Sequence, residues 1–412
     1  MKRNARRHQQ QGGVIVTVAF VLLFLLGFMG IALDFGRLFI VKTELQTAVD
    51  TCALAAAQEL DLQPSAIDRA TSAGLTAGNL NRVNFQSSTW SGQGQLVSAD
   101  ITFKDAAYVA TADPTVSQYV QCQHVQPAVQ MWLMQAMGAF SGNTTDFPST
   151  RNVMASAVAT RAHGQSTCPL PVAMKPKGGG VAPNYGYSVG EWVPMITDQS
   201  EFSGGHIGWM SLVDGQNGTN AIREQLKGYC GTKIDDQLEP SDSGNKVALV
   251  PIWNWRFGLY AGPPDFTQNS EQRPDLTGYA YTLANSSGSN VYSDFESRRS
   301  TSNDACAATV AGCKSLHGFQ LPGNINYIAP SGDGPGSHGL AGTNRRLVLV
   351  PIVDATDQVD GFACMLMLQP LSIPLAPIQL EYLGNASLPT SPCSFSGIPG
   401  GAAGPLVPAL VR

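Results

Sequence analysis

Charge is scarce in this chain: only 13% of its 412 residues are Asp, Glu, Lys or Arg. None of them lies between Gln9 and Leu33, and no proline precedes Pro64. The first absence leaves a stretch that water solvates poorly, and the second permits an unbroken helix. There is no C-x-x-C pair and no histidine at ligand spacing from a cysteine, which argues against zinc. H-E-x-x-H and G-x-S-x-G are also missing, so metalloprotease and α/β-hydrolase chemistry have no motif to rest on. No internal repeat is found.

What the chain does have begins with a basic tip, Lys2, Arg3, Arg6 and Arg7, followed by an apolar run. Val14 to Leu33 supplies twenty residues whose one strongly polar member is Thr17. Twenty helical residues rise about 30 Å, the thickness of a bilayer's hydrocarbon core. The basic flank is expected to stay in the cytoplasm and the bulk to face the other side. A cleaved signal peptide would need a shorter apolar core, about 7–15 residues, and a small-x-small cleavage site. Gly30-Ile31-Ala32-Leu33-Asp34 is a poor cleavage context, so a retained anchor is expected.

Setting aside the tip's four positive charges, the formal −5 becomes −9 for the remainder. That disfavours nucleic acid or an anionic membrane surface as its partner. Glycine (43) and proline (26) are abundant, which suits a loop-rich β protein better than a helical bundle. The eight cysteines are Cys52, Cys122, Cys168, Cys230, Cys306, Cys313, Cys364 and Cys393. An even count in an exported chain argues for disulfides, with about a hundred pairings open. Sequential pairing (52–122, 168–230, 306–313, 364–393) is the simplest because it keeps each bridge within one segment; buried free thiols are the alternative.

Along the chain, Leu38, Val41, Leu45, Ala48, Val49, Cys52, Ala55, Ala56 and Leu60 recur at three- and four-residue steps. One helix from about Val14 to Leu60 follows, near 70 Å long, with an apolar face that a sheet or a partner helix must cover. A second helix is predicted over 65–79, strands over 96–103 and 116–124, a helix opened by Pro127 and running to about Phe140, and a strand over 153–159. The proline- and glycine-rich stretch 168–186 reads as a linker or irregular entry to a second domain. Beyond it, strands are expected near 207–213, 247–255, 279–283, 347–353, 362–368 and 378–382, with a helix over 219–226. Arg345 to Val353 has the continuous apolar character of a buried central strand. The segment from Ser396 is expected to be flexible. The fold class is α+β: a long N-terminal helix with a small sheet, then a β-rich domain. The predicted divisions are a basic tip at 1–13, a membrane helix at 14–33, an α+β unit at 34–163, a β-rich domain at 164–395 and a tail at 396–412.

Candidate chemistry is sparse. Ser337 beside His338 sits in a glycine-rich run without an orienting carboxylate, and Gly204-Gly205-His206 reads as a turn. Trp253 and Trp255, alternating in a predicted strand, would share a face, as core or as a stacking platform. Asp34 and Arg37, three apart at the membrane exit, would pair, contact a neighbouring helix, or lie solvated. Gly27 and Gly30 allow close helix approach without the four-residue dimer spacing.

Ile31 to Leu60 (IALDFGRLFIVKTELQTAVDTCALAAAQEL) closely resembles the N-terminal signature of TadG-like proteins of the Flp (Tad) pilus system. Asp34, Gly36, Arg37, Lys42, Glu44, Leu45, Gln46, Ala48, Asp50, Ala53, Leu54, Ala55, Ala56 and Ala57 fit that signature. Trp253 to Tyr260 and Glu381 to Gly384 look, more loosely, like segments of longer TadG-like proteins. Gly13 is followed five residues later by Val18, where type IV pilins carry Glu, so prepilin processing is not implied. Ser241 to Asn245 lacks the D-x-S-x-S metal pattern that some TadG-like proteins carry in a von Willebrand A domain.

The resemblance implies a single-pass, bacterial inner-membrane, periplasm-facing, pseudopilin-like component of pilus assembly, with no catalytic residues or cofactor to carry over. Its expected partners are TadE/TadF-like minor pilins and the Tad machinery, in a homo- or hetero-oligomer. Leu38, Val41, Leu45, Val49 and Cys52 would pack against sister helices, with Cys52–Cys122 clamping the helix to its sheet. The runner-up is a surface adhesin or secretion-linked scaffold, and a periplasmic hydrolase is a third class without a visible nucleophile–base pair.

Overall fold

The computed structural model of the chain describes residues 11–81, 83, 95–196, 199–242, 246–262, 270–275, 277–301, 326–327, 345–393, 397–401 and 404–411. Its helices and strands, in chain order, are α1 (Gln11–Gln58), α2 (Ala66–Asn79), β1 (Ile101–Lys104), β2 (Tyr119–Gln130), α3 (Trp132–Ser141), β3 (Thr150–Ser166), β4 (Val172–Met174), β5 (Trp192–Met195), β6 (Ile207–Ser211), α4 (Thr219–Gly228), β7 (Glu239–Pro240), α5 (Val250–Trp255), β8 (Leu259–Tyr260), α6 (Tyr292–Thr301), β9 (Asn326–Tyr327), β10 (Leu347–Val353), β11 (Val359–Met367), β12 (Ile378–Asn385), β13 (Ile398–Pro399) and β14 (Leu406–Leu410). The class is α+β.

Helix α1 changes character along its length. Between Val14 and Met29 nearly all the described side chains are exposed, whereas from Gly30 onward one face is buried. The buried positions Val41, Leu45, Ala48, Val49, Cys52, Ala53, Ala56 and Ala57 step by one helical turn and meet Val120, Cys122, Ala155, Ala157 and Ala159 of the sheet. The alanines serve a packing purpose. On α2, a Cβ added to Gly78 would lie 3.1 Å from the Cys52 Cβ and 3.2 Å from the Ala48 carbonyl. Small side chains on both helices let the two axes approach closely. Arg69 closes the turn between them, its guanidinium 2.6 Å from Asp61 and 3.2 Å from Glu59.

The first sheet has the order β1-β2-β3-β13, with β14 also on β3, all antiparallel. The last strands therefore return to the first sheet: Leu406–Leu410 pairs with His163–Ala159. This corrects the expectation of a flexible 396–412 tail. Its Leu-Val-Pro-Ala-Leu segment is apolar enough to be held by an open sheet edge, despite the flanking glycines.

In the second sheet β4-β10-β11-β12-β5-β6-β7, β4 also pairs with β6, so six strands close into a barrel-like ring. All seven residues of β10 are buried because both faces of the sheet are covered. Phe257 and Phe295 flank the fully buried Arg346 guanidinium, which donates to the carbonyls of Met367, Thr277 and Tyr279. Cys168–Cys230 and Cys364–Cys393 are bridged in this half. Cys306 and Cys313 lie outside the described residues.

Three further expectations need correction. Residues 247–255 form a 3₁₀ turn and α5 instead of a strand; Pro251 sits in the helix's first turn, where its missing N–H costs nothing. Trp253 and Trp255 thus do not share a strand face. Trp253 is buried edge-on to Trp209 and donates to the Gln369 carbonyl. Residues 279–283 form no strand. Pro127 lies inside β2 rather than opening a helix. The register slips by one residue between Gln126 and Val129, and Ala128 adopts φ 55°, so a bulge absorbs the residue that cannot donate.

Candidate functional site

The signature residues of α1 converge where the helix leaves its apolar run. Helix α3 starts at Trp132 behind Met131, whose side chain offers no cap to its free N–H groups. Asp34, 99 residues before Leu133, fills that role. Its Oδ2 accepts the backbone N–H of Leu133 at 2.9 Å and of Met134 at 2.7 Å, and Asp34 itself is only 5% exposed. The carboxylate also meets the positive end of the α3 dipole. Arg37, one turn on, places its guanidinium carbon 4.6 Å from the Trp132 ring centre and donates to the Gln130 carbonyl. Gly30 leaves room for this dock, since a Cβ there would stand 3.0 Å from that of Leu133. Asp34 and Arg37 therefore each engage α3.

Further up α1, Lys42 donates to the Met154 carbonyl, and Gln46 bridges Asp50 (2.7 Å) and the Ser156 carbonyl (3.1 Å). Cys52 is bonded to Cys122 of β2, both fully buried. Val41, Leu45 and Val49 lie in the same core, with Leu38 partly buried beside it. Their face is filled by the chain's own sheet, so the expected packing of these residues against sister helices is corrected: a face already in contact with β2 and β3 has no room for another helix.

Where α1 ends, Arg161 of β3 donates to the carbonyls of Leu60 (3.0 Å), Pro389 (3.1 Å) and Ser391 (2.8 Å). Burial pulls its guanidinium down to about 10, in spite of Asp61 and Glu59 nearby. A cavity of about 200 Å³ opens beside it, lined by Leu60, Leu62, Thr160, Arg161 and His163 among others.

Residues that could carry chemistry are dispersed. His124 lies 2.9 Å from Asp100, His163 faces the Gly404 carbonyl, and Ser203 is 3.2 Å from His206 in a turn. Among the described residues no group of three His, Cys, Asp or Glu could hold a metal ion. Ser337 and His338 lie outside those residues, as do Ser243, Gly244 and Asn245.

The dock makes a direct prediction. Asp34→Ala is expected to destabilise the protein by about 1–2 kcal/mol and to raise hydrogen exchange at the first α3 amides. Asp34→Asn should retain most of the protection, because its amide oxygen can still accept. Equal exchange in wild type and Asp34→Ala would contradict the capping role.

The long helix is also where the chain resembles known proteins. The family model Tad, described as "Putative Flp pilus-assembly TadE/G-like", matches residues 12–59. No curated protein and no solved structure matches the chain. Helix α1, with its α3-docking pair and its bridged cysteine, is thus the segment by which this chain matches the TadE/G-like pilus-assembly family.

Proposed function

We propose that this chain is a non-catalytic component of Flp/Tad pilus assembly, held in the bacterial inner membrane by the apolar part of α1. The basic tip lies in the cytoplasm and the sheets in the periplasm. The observation that carries the reading is the family match over residues 12–59, on the helix whose Asp34 and Arg37 hold α3. The apolar window of this helix has a mean hydropathy of 2.9 and is 6% buried, as suits a lipid-facing span. A core helix of a soluble protein would be covered.

Since the Val41–Leu45–Cys52 face is occupied, partner pilins meet another face. Phe28, Phe35 and Phe39 lie on one side of α1 and are 59%, 46% and 70% exposed. They extend an apolar stripe from the span past Arg37, a surface suited to a TadE/TadF-like helix.

Electron microscopy of surface filaments in a clean deletion strain, beside its complemented counterpart, tests the reading. Loss of Flp filaments and their return on complementation are expected. Filaments at parental numbers would overturn the assembly role, and normal filaments with lost surface attachment would transfer it to adhesion.

A further inference from the structure

The hairpin between β2 and β3 carries an uncharged helix, WLMQAMGAFS, set against the outer end of the span. We infer that α3 is a second membrane-contacting element, lying among the phospholipids of the outer leaflet beside α1. The inference rests on the anchored reading of α1.

Its position gives the first argument. Met137 Sδ lies 3.9 Å from where a Gly27 Cβ would be, and Leu133 packs on Gly30. Both glycines belong to the uncharged run, and Gly27 stands six residues inside Leu33. Six helical residues span about 9 Å, within the depth of about 5–10 Å at which interfacial helices bury their apolar faces.

The outward surface gives the second. Trp132 is 66% and Leu133 40% exposed, and Ala136 and Ala139 are exposed beside them. The span at the same level is exposed as well, at Phe28 and Met29, 59% and 57%. Tryptophan at such a level is the usual aromatic anchor of a membrane boundary.

Charge gives the third. Asp34 is held inside the protein as the α3 cap, and Arg37 lies on the Trp132 ring, so each of these charges has a partner within the protein. Beyond α3, the polar turn is closed on itself. Asn143 donates to the Asp146 carboxylate at 2.6 Å and accepts the N–H of Thr145 and Asp146.

The test uses the full chain in phosphatidylethanolamine–phosphatidylglycerol vesicles. A single added cysteine at Ala139, Phe20 or Ala112 carries an environment-sensitive nitrobenzoxadiazole label, and spin-labelled phospholipid is the quencher. Phe20 reports the span, and Ala112 the loop at the far end of β2. Quenching at Ala139 and Phe20 severalfold above that at Ala112 is expected.

Quenching at Phe20 with none at Ala139 would overturn this inference and leave the anchor standing. A blue-shifted but unquenched Ala139 label would show that protein covers α3, and would overturn it too. An unquenched Phe20 label would remove the anchor and the inference together. Trp132→Phe in brominated-lipid vesicles gives an independent reading: wild type should lose more tryptophan emission to bromine than the variant, and equal losses would contradict the placement.

Discussion

Replacing Cys52 and Cys122 together by alanine is expected to cost about 4 kcal/mol, the chain-entropy value for a loop of this length. The bridge spans 70 residues and joins α1 to β2 in the middle of the first core. That loop contains α2, β1 and the α1–α2 turn, so opening it frees much of the unit in the unfolded state. Denaturant melts of the detergent-solubilised chain measure the effect. A variant with the wild-type midpoint, or a Cys52 that alkylates in untreated exported protein, would contradict the clamp.

The second large effect is expected at Arg161. Arg161→Met should destabilise by about 3–5 kcal/mol, because carbonyls of Leu60, Pro389 and Ser391 lose a buried donor that methionine cannot replace. The loss is not only local. Arg161 binds the end of α1 to the 389–393 segment, which Cys364–Cys393 fastens to the second sheet, and β14 pairs alongside. Hydrogen exchange over 406–410 should therefore rise with the substitution. A change below about 1 kcal/mol would mean that water satisfies those carbonyls as well as the guanidinium does.

The parts legible in the sequence were those that a single period announces. Val14–Leu33 is apolar but for Thr17, the next turns bury every third or fourth residue, and Leu347–Val353 is apolar on both strand faces. The misread parts depend on contacts distant in sequence. Pro127 has a good helix-opening context, yet a bulge on β2 accommodates it because β3 runs alongside from Thr150 to Thr160. Ser396 onward has loop composition, and only the open edge of β3 makes 406–410 a strand.

Asp34 stands out in the sequence, but its partner Leu133 is 99 residues away. The available signal was a helix start with no capping side chain of its own, at Met131. The return of β13 and β14 also bears on dissection. A fragment cut at 164 would carry these strands without β3, so adhesion is best assayed on residues 34–412.

The central claim is that the signature of α1 locks the span to its sheet, and that pilus assembly needs that lock. The most direct measurement counts surface filaments in the deletion strain complemented with Asp34→Ala/Arg37→Ala, at membrane levels matched to wild type. The account predicts severalfold fewer filaments with the protein still present in the membrane. Wild-type filament numbers, with α3 shown to be undocked by hydrogen exchange, would contradict it.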